Sequence, residues 1–351
     1  MKQISIFEGK EKFTFSKPIR LITLFSGYDS QALALKYLGV TFEHYHTCEW
    51  AIPSIQALKD LHFDYDNGDY SIGLSKDDLV KILARKGVSS NHNEPLTEEQ
   101  LSRYGETKLR TIFNNIVATR NLVSICNIHG NDLEIKETDK YEYIMTYSFP
   151  CQDLSAAGVR KGMERGSGTR SGLLWEVERL LKETPELPQV LIMKNVKQVI
   201  GQKNISAFAD WIAFLDKLGY KSKWEVINAT EFGIPQNRER CFMVSVLGDK
   251  FYNFPEPLEL NVTLDDFLEP KERVADCYYL SDAIVEYYIR HTEESKEKSN
   301  GFKFEPTGGG IAKTITTKEG ERMTSNFISC GVALGKSPEF QRGGKKPKPN
   351  N

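Results

Sequence analysis

Residues 19–50, IRLITLFSGYDSQALALKYLGVTFEHYHTCEW, set the expectation for the fold. Ile19 to Phe25 is a nearly unbroken apolar run of strand length, the pattern of a parallel strand buried on both faces. Ser26-Gly27-Tyr28-Asp29-Ser30 reads as a tight turn. Ala32, Leu33, Leu35 and Leu38 then recur at helical spacing until Gly39, a helix stop. Thr41 to Trp50 reads as a second strand and Ile52 to Leu61 as a second helix. This alternation predicts βαβ units and an α/β fold with a Rossmann-like, doubly wound, mostly parallel sheet.

Working outward, residues 65–120 are polar and helix-prone, and predict a helical insertion or extended crossover. Strand signals resume at Leu122–Ile128 and Tyr143–Phe149, followed by a glycine-rich basic loop from Ala156 to Ser171. A helix (Leu173 to Leu181), a strand (Val190 to Met193) and another helix (Ile205 to Leu218) come next. Lys223–Ala229 and Cys241–Leu247 read as two strands with no helix between them, hence an antiparallel pair. Beyond residue 250 the pattern weakens, with Pro255, Pro257, Pro270 and Gly308-Gly309-Gly310, and the end (GGKKPKPNN) reads as a basic, disordered tail. The expected division is residues 1–248 as one domain, with the helical insertion inside it, and 249–351 as a smaller region and tail.

The composition, 40% hydrophobic and 27% charged, is that of a globular protein. No apolar run of about 18 residues marks a membrane span, and the N-terminus is too polar for a signal peptide. Six cysteines at 48, 126, 151, 241, 277 and 330 form no CxxC pair, so neither a zinc site nor a disulfide framework is expected, and a cytoplasmic setting fits. The net charge of −2 means that any nucleic-acid binding depends on locally clustered cations.

Phe25-Ser26-Gly27 lies where a strand turns into a helix, so its backbone can approach a ligand at the helix N-terminus. Glu49 ends the second strand, where a carboxylate can accept hydrogen bonds from ribose hydroxyls, or simply be solvated. Asp132 is either a further cofactor contact or a turn residue. Cys151, in Pro150-Cys151-Gln152, stands past a strand end, placed for nucleophilic attack, although most lone cysteines are structural. Arg238 and Arg240, two apart on an extended segment, would share one face toward an anionic or carbonyl-bearing ligand.

The order of these pieces carries more than any one of them. FSG after the first strand, Glu49-Trp50, Asp132, SFPCQDLS (148–155), RSGLLWE (170–176), Lys194-Asn195-Val196 and QNRER (236–240) resemble the ordered motifs of the cytosine-5 DNA methyltransferases of bacterial or phage type, as found in restriction–modification. The resemblance spans residues 19–248. It implies the S-adenosylmethionine-dependent methyltransferase fold, with S-adenosylmethionine over Phe25, Ser26, Gly27 and Tyr28. It also implies Glu49 on the ribose, Trp50 on the adenine, Asp132 at the adenine amino group, and Pro150 and Leu173 lining the pocket. Double-stranded DNA would be the partner, with Gln152, Ser155, Arg160, Lys161 and Arg165 among its contacts. Cys151 would add to carbon 6 of a flipped cytosine, and Arg240 would hold the base carbonyl with Gln236 and Arg238 in support. Residues 249–351 would be a partial target-recognition region.

Three departures accompany the resemblance. The family's later glycine in the first motif is replaced by Asp29 and Ser30. The family has glutamate where Lys194 stands. A closing Gly-Asn-Ser motif is absent from the sequence, which leaves open a split enzyme whose second polypeptide supplies it, or an inactive homologue that binds DNA or protein. An unrelated dehydrogenase is disfavoured, because no GxGxxG is present and PCQ and QxRxR would go unexplained.

Overall fold

The protein is described from a computed structural model covering residues 16–151, 153–154, 162–250, 252–297, 304, 307, 310–315 and 326–328. Contacts divide the chain into two compact units, residues 1–227 with 239–255, and residues 228–238 with 256–351.

The first unit is built on a six-stranded sheet. Its strands are β1 (Ile19–Leu24), β2 (Phe42–Cys48), β3 (Glu142–Tyr147), β4 (Val190–Val196), β5 (Tyr220–Asn228) and β6 (Glu239–Leu247), in the order β2-β1-β3-β4-β6-β5. The first four are mutually parallel and β6 runs antiparallel to β4. At the far edge the Ser222 and Ser245 hydroxyls meet at 2.8 Å, and Gly248 N donates to Gly219 O at 3.0 Å. Positions thus climb along β5 as they descend along β6, which makes the expected antiparallel pair.

β1 is central: apart from Arg20, its residues are buried between β2 and β3, and all of these but Thr23 are apolar. Leu24 sits opposite both Cys48 and Tyr147, so all three strands end level. The crossover helices are α1 (Ser30–Tyr37) and α2 (Ile52–His62), then α6 (Leu174–Glu183) and α7 (Ile205–Lys217). Helices α6 and α7 cover one face through Leu174, Val177, Leu180, Phe208, Trp211 and Leu215, packed on Met145, Tyr147 and Met193. The fully buried Trp211 indole donates to Tyr147 Oη at 3.1 Å, so burying it leaves no N–H orphaned.

Residues 65–120 contain three helices, α3 (Lys76–Lys86), α4 (Glu98–Ser102) and α5 (Glu106–Ala118). Ser75 with Asp78, and Thr97 with Gln100, close reciprocal capping boxes that start α3 and α4. Leu79, Leu83, Leu101, Leu109, Ile112 and Ile116 form a separate core with Ile55 of α2.

Two segments depart from expectation. Leu122–Ile128 is not a strand: Thr47 and Asn121 make an isolated bridge, Val123 turns to φ +70, and Ile125–Asn127 is one 3-10 turn. The cause is the buried Asn121 side chain. Its oxygen accepts from Glu49 N (3.0 Å) and Val123 N (2.9 Å), and its amide donates to Glu49 O (2.9 Å). These bonds stand in for a ladder, and the segment is apolar because Val123 and Ile125 bury in two different cores. In the second unit, α8 (Asp282–Glu297) was not anticipated. Its less exposed side is short, Val285, Tyr288 and Thr292, and the exposed Ile284 and Tyr287 beside it blur the stripe in the sequence.

Asn121→Ala should lower the stability of the chain by about 2 kcal/mol, because it orphans three buried backbone groups at once. Urea unfolding of the variant against the wild type measures this.

Candidate active site at the switch point of the sheet

From β1 the chain crosses to β2 on one side, while β3 lies on the other. The C-terminal ends of β1 and β3 therefore flank a crevice of the kind in which open α/β sheets hold ligands. Two loops emerge there: the turn Phe25–Asp29, and the segment Ser148–Cys151.

The turn carries three left-handed residues, Phe25 (φ +57), Gly27 (φ +58) and Asp29 (φ +56). Only Gly27 adopts this without strain, so neighbouring groups must hold the rest. Ser26 N donates to Cys48 O (3.1 Å), and the Ser26 hydroxyl donates to Thr23 O (2.7 Å) while accepting from Cys48 N (3.1 Å). Asp29 caps α1 by accepting from Ala32 N at 3.2 Å, and takes the Thr23 hydroxyl on its other oxygen at 3.2 Å.

Glu49 binds the turn to the end of β2. One carboxylate oxygen accepts from Gly27 N at 2.9 Å and the other from Ala51 N at 2.7 Å. Burial raises its pKa, and these two N–H donors work against the shift. A methyl-sized group placed on the Gly27 Cα would meet no atom within 4 Å, so the space above the turn is open. Tyr28 projects an exposed ring beside it. An open turn next to a fixed carboxylate suits a ribose-containing ligand. Trp50 is half-buried against the insertion core. Asp132 is exposed on its own 3-10 turn, where its carboxylate accepts from His129 N at 2.8 Å.

The Cys151 segment is held through its carbonyls. Asn195 of β4 donates to Phe149 O at 3.0 Å, Ser171 donates to Pro150 O at 2.7 Å, and Leu154 N donates to Cys151 O at 3.0 Å. Buried Asp153 accepts from Arg170 N at 2.8 Å. Leu173 ends the 3-10 turn Arg170–Leu173, which Thr169 caps. The half-buried Cys151 is thus set beside the end of β4, where Lys194 pairs with Phe242. Asn195 and Ser171 lie inside the motifs Lys194-Asn195-Val196 and RSGLLWE, but neither stood out there as a positioning group.

Arg240 lies in β6 opposite Val196, with its guanidinium donating to Glu239 O at 2.6 Å. Arg238 is not on that strand. It belongs to the second unit, where Asn228 Oδ1 accepts from its N–H at 2.9 Å and its side chain donates to Ile315 O at 3.3 Å. Because β6 begins at Glu239, the expectation that both arginines share one strand face is not met. Gln236, also in the second unit, bridges to Ala312. Arg165 pairs with buried Glu178 and stacks 3.8 Å over the Trp175 ring, so its charge is engaged within the protein. Gln152, Ser155, Arg160 and Lys161 lie outside the described residues.

A model of the C-5 cytosine-specific DNA methylase family matches residues 105–346. The chain belongs to this family. It is 34% identical over 292 residues to the orphan methyltransferase M.SssI of Spiroplasma monobiae, covering 81% of this chain and 72% of that protein. It is 32% identical over an alignment of 352 residues to the type II methyltransferase M2.ScrFI of Lactococcus lactis subsp. cremoris, covering 93% of this chain and 94% of that one. Among solved structures, Entamoeba histolytica methyltransferase EhMeth superposes with a TM-score of 0.55 at 13% identity, over 93% of this chain and 79% of that one. The Dnmt2 methyltransferase of S. pombe gives 0.50 at 14%, over 83% and 68%. At such identities the superpositions speak for the Rossmann-like methyltransferase fold alone. The chain is thus a DNA (cytosine-5) methyltransferase of a family that depends on S-adenosylmethionine.

Burial pushes the Asp29 carboxyl up to about 6. An acid that is harder to ionise when folded binds more protons in the folded state, here between the ordinary carboxylate range and about pH 6. Its contribution is therefore most favourable below that window and is lost as pH rises through it. Asp29→Asn keeps an oxygen for Ala32 N and removes the titration. From pH 4 to 7 the wild type should lose about 2–3 kcal/mol more stability than the variant, measured by denaturant unfolding at both pH values.

Proposed function

We propose that this chain methylates carbon 5 of cytosine in double-stranded DNA through a covalent adduct on Cys151, and does so slowly because Lys194 stands at the base-recognition position. The observation that carries this reading is the convergence of two loops at the switch point: the turn with its Glu49 anchor, and the segment that presents Cys151. The cofactor assignments follow the family: Phe25, Ser26, Gly27 and Tyr28 beneath the cofactor, Glu49 on the ribose, Trp50 and Asp132 at the adenine, Pro150 and Leu173 along the wall. Bound S-adenosylmethionine supplies the methyl group.

A base inside a duplex is out of reach, so the cytosine must be flipped out of the stack. The Cys151 thiolate forms a bond to carbon 6, and the displaced π electrons make carbon 5 nucleophilic enough to take the methyl. Arg240 offsets the negative charge that builds on the base carbonyl. Loss of the carbon 5 proton then restores the double bond and expels the thiolate. Gln236 and Arg238 keep the supporting role that their positions have in the family. The second unit is assigned to target recognition, and the cations Arg160 and Lys161, but not the internally paired Arg165, to phosphate contacts that position the protein without specifying sequence.

Lys194 limits the rate for a reason of hydrogen-bond chemistry. The flipped cytosine offers an acceptor at ring nitrogen 3 and a donor at its amine. A carboxylic acid answers both, whereas an ammonium can only donate. A lost acid–base group of this kind costs about 10²–10⁴ in rate.

Lys194→Glu should raise methyl transfer by about tenfold or more, and Cys151→Ser should bring it below detection. Mass spectrometry of 5-methylcytosine in DNA incubated with each protein tests both. A rate that ignores the Lys194 change would refute the role given to that residue.

A further inference from the structure

The Tyr28 carbonyl lies at the centre of the turn, between the left-handed Gly27 and Asp29. His62, the buried last residue of α2, places Nε2 2.9 Å from that oxygen. Its Nδ1 lies 3.2 Å from Nζ of Lys36, an exposed residue on α1. A carbonyl only accepts and an ammonium only donates. Both contacts therefore require one state of the ring, the neutral imidazole with its proton on Nε2.

The surroundings agree. Burial, with the Lys36 charge adding to it, pushes the His62 pKa down. The neighbouring His44 ring, 5.1 Å away between centroids, is pushed down to about 3. His44 Nδ1 is in turn 3.8 Å from the Asp29 carboxylate.

The bond to Tyr28 O matters because of the peptide it fixes. Rotating the Tyr28–Asp29 peptide plane would change ψ of Tyr28 and φ of Asp29 together. It would release Asp29 from its strained φ of +56, turn the Tyr28 carbonyl away from His62, and break the bond from Asp29 N to Ser26 O (2.8 Å). The strained turn persists only if something opposes that rotation, and the Nε2 donor is placed to do so.

We infer that His62 is a positioning residue for S-adenosylmethionine: held in one tautomer by Lys36, it keeps the turn in the conformation that binds. The inference rests on reading the turn as the cofactor site.

The test is calorimetric titration of the full chain with S-adenosylmethionine. His62→Leu should weaken binding by about tenfold, and His62→Gln should restore it to within about twofold, since its amide can donate to Tyr28 O while its oxygen accepts from Lys36. Lys36→Met, which changes an exposed side chain, should weaken binding by about threefold, and it decides the matter if His62→Leu does not fold. Nitrogen-15 spectra of the unmodified chain should show the Nε2–H tautomer.

Glu49→Gln separates the two levels of the argument. If the unmodified chain does not bind, or Glu49→Gln leaves affinity unchanged, the cofactor reading of the turn is wrong. If Glu49→Gln weakens binding but His62→Leu does not, or His62→Gln fails to rescue, or the ring carries its proton on Nδ1, the role of His62 is overturned.

Discussion

The site depends above all on a buried carboxylate with two backbone partners. Glu49 joins the turn after β1 to the start of α2 by accepting from Gly27 N and Ala51 N. Taking a carboxylate out of water is unfavourable unless its oxygens are met, and here both are. The same residue is gripped through its main chain by Asn121, which reaches it from the end of the helical insertion. One acidic residue thus gathers three parts of the first unit that are remote in sequence. Weakening it would loosen the turn, the start of α2 and the Asn121 segment together.

Much of the sheet was legible because burial on both faces leaves an unmistakable trace. β1, β3 and β4 are apolar where they are enclosed, and the glycines at 27 and 39 mark turns that need a positive φ. The segment after Asn121 misled because side-chain hydrogen bonding imitates a ladder, and one polar residue among apolar neighbours gives no warning of that. The α8 helix was missed for the opposite reason, since exposed apolar residues such as Ile284 and Tyr287 blur the short stripe of Val285, Tyr288 and Thr292.

At the site, motif residues were legible and their supports were not. Cys151, Glu49 and Gly27 announce themselves by residue type and position. Asn195, Ser171, Asn121 and His62 act on carbonyls and amides, and a sequence does not display which carbonyl will need a donor. The pair Arg238 and Arg240 shows a further limit. Spacing by two implies a shared face only while the strand continues, and here the strand begins between them.

The reversal of β6 has a consequence for tolerance to sequence change. Because it runs against β4, its first residues lie at the edge where the parallel strands finish, and Arg240 faces Val196 there. Its predecessor is Glu239, of opposite charge. A slip of one residue would exchange the cation for a carboxylate at that edge and turn the strand's buried side outward. The Lys197–Glu239 ion pair, at 2.9 Å, opposes such a slip by tethering the acid to the residue after β4. An insertion or deletion near the head of β6 would therefore change the sign of charge at that edge and disturb the core together, making this short stretch more sensitive to length than to composition.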